Sequence, residues 1–283
     1  MPLEDITMSI ECPEAHILAD QMNKEVTGKT IISYETQNSQ QLQQKGFISK
    51  NVVFEQIVGC KILSVIARGN TILVKLDNCW NIVLAPEYGG SISLHTSQAK
   101  PSKFHLKLDL QDIILTVNLA GIGCIQAVED YLLKTNYLYN RDFSQTLNPL
   151  ETDFTFEYFI EKLDNKKQNI KTAIVGKTAV IVGMSNSAFQ DIIYRAKISP
   201  KRNTGTLTAE EKKNLYQAII QLIKERLESG GKSQFVDLYG KPGLYISKMG
   251  SNQKGQTCAT CRSKIERINH GGGQVYLCPI CQK

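Results

Sequence analysis

The sequence predicts an α+β fold: an N-terminal helix and a two-sheet β-sandwich, then a helical domain closed by a four-cysteine β-hairpin. Three observations predict it. Short apolar runs at hairpin spacing crowd residues 30–128. Helical periodicity takes over after about residue 145. The pattern Cys258-x2-Cys261-x16-Cys278-x2-Cys281 then ends the sequence.

Pro13 opens the first helical pattern, which places Ile17, Leu18, Met22 and Val26 on one face and stops at Gly28. The β text follows, with runs at 62–66, 71–76, 81–84, 104–108 and 113–117. Turn signals at Asp77-Asn78, Gly89-Gly90 and Gln111-Asp112 separate several of them, as expected of a sandwich. Residues 151–163 form the next helix candidate, and 186–196 another, with Asn186 as its expected N-cap. Thr208 and Glu211 form a capping box that opens a long helix. Its buried stripe is Leu215, Ala218, Ile219, Leu222, Ile223 and Leu227, and Gly230-Gly231 ends it. Residues 232–257 read as a linker. Gly271, Gly272 and Gly273 bend the final hairpin, and 274–277 form its returning strand.

The 283 residues suffice for one large domain or two modest ones, and 42% hydrophobic with 21% charged content describes an ordinary globular chain. No apolar run approaches the roughly 18 residues of a membrane span, and no basic n-region opens the chain. A cytoplasmic protein with no membrane partner is expected, nucleoid-associated if bacterial. Cys12, Cys60, Cys79 and Cys124 are then expected to be reduced, and mostly packing residues.

Charge is unevenly spread. Residues 1–150 carry 12 Lys+Arg against 15 Asp+Glu, whereas 151–283 carry 21 against 12. Positive charge concentrated in one half is the footprint of a phosphate-backbone binder; a merely solvated surface is the alternative.

The terminal cysteines have the spacing of a structural four-thiolate Zn2+ site. Each Cys-x2-Cys pair supplies two ligands from one tight turn, and the interval between the pairs accommodates a hairpin. Two disulfides in a secreted chain are the competing reading, disfavoured because no signal peptide is evident.

Four local matches, in this order, resemble the formamidopyrimidine-DNA glycosylase/endonuclease VIII family from about residue 10 to 283. The segment 10–15, Ile-Glu-Cys-Pro-Glu-Ala, is similar to the family's Pro-Glu-Leu-Pro-Glu-Val opening. The segment 182–186 is similar to its Gly-Asn segment, which sits in a helix–two-turn–helix element. Gly240-Lys241-Pro242-Gly243 matches the linker before the finger, and the cysteines with the final Cys-Gln-Lys match its end. The resemblance implies three parts: a glycosylase-like β-sandwich domain at 10–144, a helix–two-turn–helix DNA-binding domain at 145–240, and a linker with zinc finger at 241–283. It also implies a monomer acting on double-stranded DNA that carries a lesion or abasic site. Asn186 takes the place of a backbone-contacting asparagine, where a helix N-terminus favours phosphate. Lys171, Lys177, Lys264 and Arg267 are candidates for further DNA contacts.

The catalytic pattern is broken. The family's nucleophile is an N-terminal proline, whose α-amine is partly neutral near physiological pH. Ile10 holds that position behind nine residues, so its nitrogen is an amide. Glu11 matches the catalytic glutamate, a proton-transfer group, though a carboxylate at a helix start also complements the dipole. The β-turn lysine aligns with Asn70, the finger arginine lies near Gly273, and the void-filling Asp-Pro-Arg-Arg-Phe-Gly aligns with residues 118–123. Lys103, Lys264, Arg267 and His270 are candidate spatial substitutes for the lost cations. An amine returns only if Pro2, exposed by loss of Met1, folds back, or if translation starts at Met8.

Two functions compete on these grounds. One is a damaged-DNA binder that has lost the proline nucleophile. The other is an active glycosylase, with or without strand cleavage at abasic sites, using Glu11 and a shifted amine. An RNA- or ribosome-associated zinc protein is a weaker third.

Overall fold

The computed structural model describes residues 10–87, 89–120, 123–144, 148–165, 167–176 and 178–283. Pro2 and Lys177 lie outside the described residues. The chain forms two compact units, 1–145 with 229–244, and 146–228 with 245–283.

In the first unit, α1 (Cys12–Val26) precedes β1 (Ser33–Thr36) and the short helices α2 (Gln40–Gln44) and α3 (Asn51–Phe54). Seven strands follow: β2 (Ile62–Arg68), β3 (Thr71–Leu76), β4 (Trp80–Ala85), β5 (Ser91–Thr96), β6 (Leu106–Asp109), β7 (Ile113–Asn118) and β8 (Cys124–Glu129). They pair antiparallel as two four-stranded sheets, in the orders β1-β6-β7-β5 and β2-β3-β4-β8. Alternation decides the packing: Ile72, Val74, Ile82 and Leu84 from one sheet share a core with Leu106, Leu108, Leu115 and Val117 from the other. Leu18, Met22 and Val26 of α1 join that core, as their spacing predicts. The opposite face of β3 and β4 is not solvated, because Leu73, Val83 and Cys124 are covered by Leu133 and Phe143. That cover includes the turn α4 (Tyr137–Tyr139) and a π-helical turn over Asn140–Ser144.

Residues 229–244, which overlap the stretch that reads as a linker, belong to this unit: Leu238 O accepts from Leu94 N at 3.1 Å, and Phe235 and Leu238 enter its core. Gly231 makes the docking possible. Its φ of +97° is left-handed, and a Cβ there would fall 2.5 Å from the Phe235 ring.

The second unit holds α5 (Phe156–Asp164), α6 (Ile170–Val175), α7 (Asn186–Arg195), α8 (Ala209–Glu228) and the hairpin β9 (Glu266–His270) with β10 (Gly273–Leu277). Helix α5 starts later than its periodicity predicts, because Thr155 is the cap and its hydroxyl accepts from Tyr158 N. The α8 capping box is present: Glu211 N donates to Thr208 Oγ1 at 3.2 Å and Thr208 N to Glu211 Oε2 at 2.7 Å. Among the described residues, no helix is long and apolar enough to cross a membrane.

Candidate nucleic-acid interface and metal centre

In the first unit, Glu11 is the N-cap of α1 and forms a capping box with Glu14. Glu11 N donates to Glu14 Oε2 at 3.3 Å. The residue before it is fixed as well: Ile10 N donates to Glu87 O at 2.9 Å, and Ile10 is 4% exposed. Its lone pair is delocalised into the peptide bond and its N–H is committed to a carbonyl, so this nitrogen is no nucleophile.

The Glu11 carboxylate has a partner that sequence reading missed. Lys232 Nζ stands 3.6 Å from Glu11 Oε2, with the two side chains 5% and 1% exposed. Lys232 N also donates to Glu14 Oε1 at 3.1 Å. Two carboxylates and one ammonium are thus buried together at the start of α1. The cationic charge, with the backbone N–H groups that bond Glu14, helps make such burial tolerable.

Asn70, the aligned place of the turn lysine, also gains a cation from elsewhere. Arg141 Nη2 donates to Asn70 Oδ1 at 2.5 Å, Nη1 reaches Glu87 Oε1 at 3.0 Å, and Nε reaches Asp142 Oδ1 at 2.6 Å. Burial opposes that charge, but Asp142 and Glu87 more than offset it and raise the guanidinium pKa. None of Lys103, Lys264, Arg267 and His270 is the cation at Asn70. Of the void-filling stretch, Gly121 and Ile122 lie outside the described residues. Burial pushes the Cys124 thiol up to about 12, which fits a packing role.

In the second unit, Asn186 is the first residue of α7 and not its cap. Ser185 takes the cap, its hydroxyl accepting from Ser187 N at 3.2 Å, because Ser185 has the extended backbone that a cap requires. The Asn186 amide faces the hairpin, donating from Nδ2 to Gln274 O at 2.9 Å. Lys171, which is buried, donates from Nζ to His270 O at 2.7 Å, and burial lowers its pKa. Both side chains therefore meet the glycine tip. A Cβ on Gly271, whose φ is +55°, would lie 2.9 Å from Lys171 Cδ; one on Gly273 would lie 3.6 Å from Lys171 Nζ and 3.9 Å from Asn186 Nδ2. The bare tip leaves room for an amine from α6 where the resemblance places an arginine. Lys264 and Arg267 are exposed on the finger.

A buried polar cluster sets the segment after residue 244 against α7 and α8. Tyr245 Oη donates to Asp191 Oδ2 at 2.6 Å, while Arg195 bridges Asp191 and Glu225 at 2.7 and 2.6 Å. Farther along, Tyr276 N donates to Gln190 Oε1 and Gln282 Nε2 to Ile198 O, at 2.7 and 3.0 Å. These bonds orient the cysteine turns.

The four sulfurs of Cys258, Cys261, Cys278 and Cys281 lie within 4.8 Å of one another. The pairs 258/281 and 261/278 are 3.8 and 3.4 Å apart, so none is disulfide-bonded, and the edge of a tetrahedral zinc tetrathiolate is about 3.8 Å. The donor set fits a divalent metal. Burial opposes the Cys258 thiolate, yet a hydrogen bond from Tyr194 Oη at 3.3 Å and backbone amides bring its pKa down to about 6. Hydrogen bonding with Cys261, then burial, pushes Cys281 up to about 12. A cation among the sulfurs would let all four ionise together.

Comparison with known proteins agrees with this architecture. The model of the formamidopyrimidine-DNA glycosylase N-terminal domain matches residues 10–118, and that of its H2TH domain matches 146–237. The formamidopyrimidine-DNA glycosylase of Pelotomaculum thermopropionicum is 30% identical over 235 residues, covering 81% of this chain and 84% of that protein. The one from Rickettsia africae is 26% identical over 279 residues, covering 96% and 98%. Lactococcus lactis Fpg, solved in complex with DNA containing an abasic site, shares the fold at a TM-score of 0.83 and 22% identity, covering 96% and 99%. The helix, two antiparallel sheets, helical unit and four-cysteine hairpin thus have matches in sequence and in fold, and the chain belongs to the formamidopyrimidine-DNA glycosylase family of base-excision-repair, DNA-binding proteins.

Proposed function

We propose that this protein grips duplex DNA at a lesion or abasic site and that it has lost the family's N-terminal proline chemistry. The observation that carries the reading is the state of Ile10: a buried peptide nitrogen, hydrogen-bonded to Glu87 O, stands where the amine is expected. The DNA-gripping parts are retained. Asn186 and Lys171 converge on the hairpin tip, and Lys264 and Arg267 lie exposed on the finger. Asn186 acts on phosphate indirectly, by fixing the hairpin and the start of α7. One structural Zn2+, held by Cys258, Cys261, Cys278 and Cys281, cross-links the finger and supplies the charge that keeps the thiolates ionised.

Fluorescence anisotropy with a duplex carrying a tetrahydrofuran abasic analogue tests this reading. Affinity should exceed that for undamaged duplex and fall with salt at a log–log slope of about −4 to −7, equivalent to about four to eight neutralised phosphates. A slope near zero, or equal preference for single-stranded RNA, rejects it. Asn186→Ala should weaken binding to every duplex sequence by a similar factor, about tenfold or less, since backbone contacts position rather than specify. A loss confined to one sequence contradicts that role.

A second reading is favoured by Glu11. Its retention beside a buried cation suits a base that activates water, and base release without strand cleavage from a lesion-containing duplex is its signature.

A further inference from the structure

We propose that Lys232 is the amine nucleophile of this protein, acting from its side chain with Glu11 as proton acceptor. The inference rests on the lesion-DNA reading above and adds covalent chemistry to it. Three observations converge. Lys232 Nζ lies 3.6 Å from Glu11 Oε2, near enough for direct proton transfer after a small approach. The backbone holds it there: Lys232 N is bonded to Glu14 Oε1, and the left-handed Gly231 seats the segment against Glu14, whose Cγ would be 3.3 Å from a Cβ at that glycine. Finally, Ile10, the neighbour of Glu11, offers only a peptide nitrogen. DNA that reaches the Glu11 carboxylate therefore meets a primary amine in the same contact.

A lysine in the 229–244 segment is easily explained as a surface cation, yet Lys232 is 4% exposed and its ammonium lies against a carboxylate. A simple stabilising pair would account for the distance. It would not form a covalent bond with DNA, and that difference decides the test.

The chemistry balances without any additional reagent. At an abasic site C1′ is in equilibrium with an open-chain aldehyde. The Lys232 ammonium passes a proton to Glu11, and the freed Nζ lone pair forms a bond to C1′ while the carbonyl π pair moves to oxygen. That oxygen takes the proton back from Glu11. A second Nζ proton, relayed by the same carboxylate, lets the oxygen leave as water. The product is a protonated Schiff base between Nζ and C1′, so ammonium plus aldehyde gives iminium plus water. No oxidant or reductant is consumed.

Borohydride trapping on the full chain tests the proposal. The protein is mixed with an end-labelled duplex containing an abasic site made by uracil removal, reduced, resolved on a denaturing gel, and the adduct is located by peptide mass spectrometry. The expected result is one covalent adduct on the peptide containing Lys232. Lys232→Arg keeps a cation beside Glu11 but supplies no comparable nucleophile. It should lower trapping by at least about a hundredfold, the scale of losing a catalytic group, while binding to the tetrahydrofuran duplex stays within about threefold. Lys232→Met should match it in trapping, and circular dichroism reports whether either variant is folded. An adduct on the N-terminal peptide, undiminished trapping in folded Lys232→Arg, or tight binding by the wild type without any adduct each overturns the proposal. Failure of the wild type to bind the tetrahydrofuran duplex would instead remove the lesion-DNA reading, and this inference with it.

Discussion

Cys258→Ser is expected to lose stoichiometric zinc and unfold the terminal hairpin. Zinc bound by thiolates supplies apparent folding free energies on the order of 10 kcal/mol or more in small finger modules, and the hairpin has little else of its own. Its local core is Met249, Cys258, Ile265, Tyr276 and Cys278, so two of five buried residues belong to the proposed ligand set. Loss should spread within the second unit, because Val275 packs among its helices and Tyr276 N is held by Gln190. DNA affinity should fall by at least about tenfold, since both tip contacts from Lys171 and Asn186 depend on the hairpin. Metal content by mass spectrometry, hydrogen exchange across 255–283 and anisotropy read the three effects together. Exchange within β2–β4 should be unchanged, since the first sheet core contains none of these residues. A variant that retained one zinc per chain would remove Cys258 from the ligand set.

Glu11→Ala should destabilise the first unit by about 3–5 kcal/mol, because it withdraws a carboxylate from a buried ammonium. Loss of the capping box contributes about 1 kcal/mol of that. At this domain size the unfolding midpoint should drop by roughly 10 °C. The double variant Glu11→Leu with Lys232→Met should recover most of the pair's share, since a buried ion pair can be exchanged for apolar packing at little net cost. Thermal denaturation of both single variants and the double closes the cycle. Additive effects would mean that the two charges are uncoupled and would also weaken the case for proton transfer between them.

Much of this molecule is legible from local patterns. The helical stripes at Leu18, Met22 and Val26 and at Leu215, Ala218 and Ile219 lie buried as their spacing predicts, because a period of 3.6 encodes one face without reference to the rest of the chain. The Thr208/Glu211 box is equally local. Cap choice was less legible: Ser185 and Asn186 are both competent caps, and only the backbone angles separate them. The short helices α2, α3 and α6 lack a full amphipathic period, so local spacing does not announce them.

The sequence by itself determined the four-thiolate motif, the alternation that builds two sheets, the family likeness, and the fact that residue 10 carries a peptide nitrogen. Each is written within a few residues, where spacing and residue type are sufficient physics. Tertiary structure alone decided which distant polar groups meet. Lys232 N reaches Glu14 across 218 residues, Arg141 reaches Asn70 across 71, and Lys171 reaches the carbonyl of His270 across 99. Such pairings follow from where docked segments bring their ends, and burial then requires their polar groups to be hydrogen-bonded.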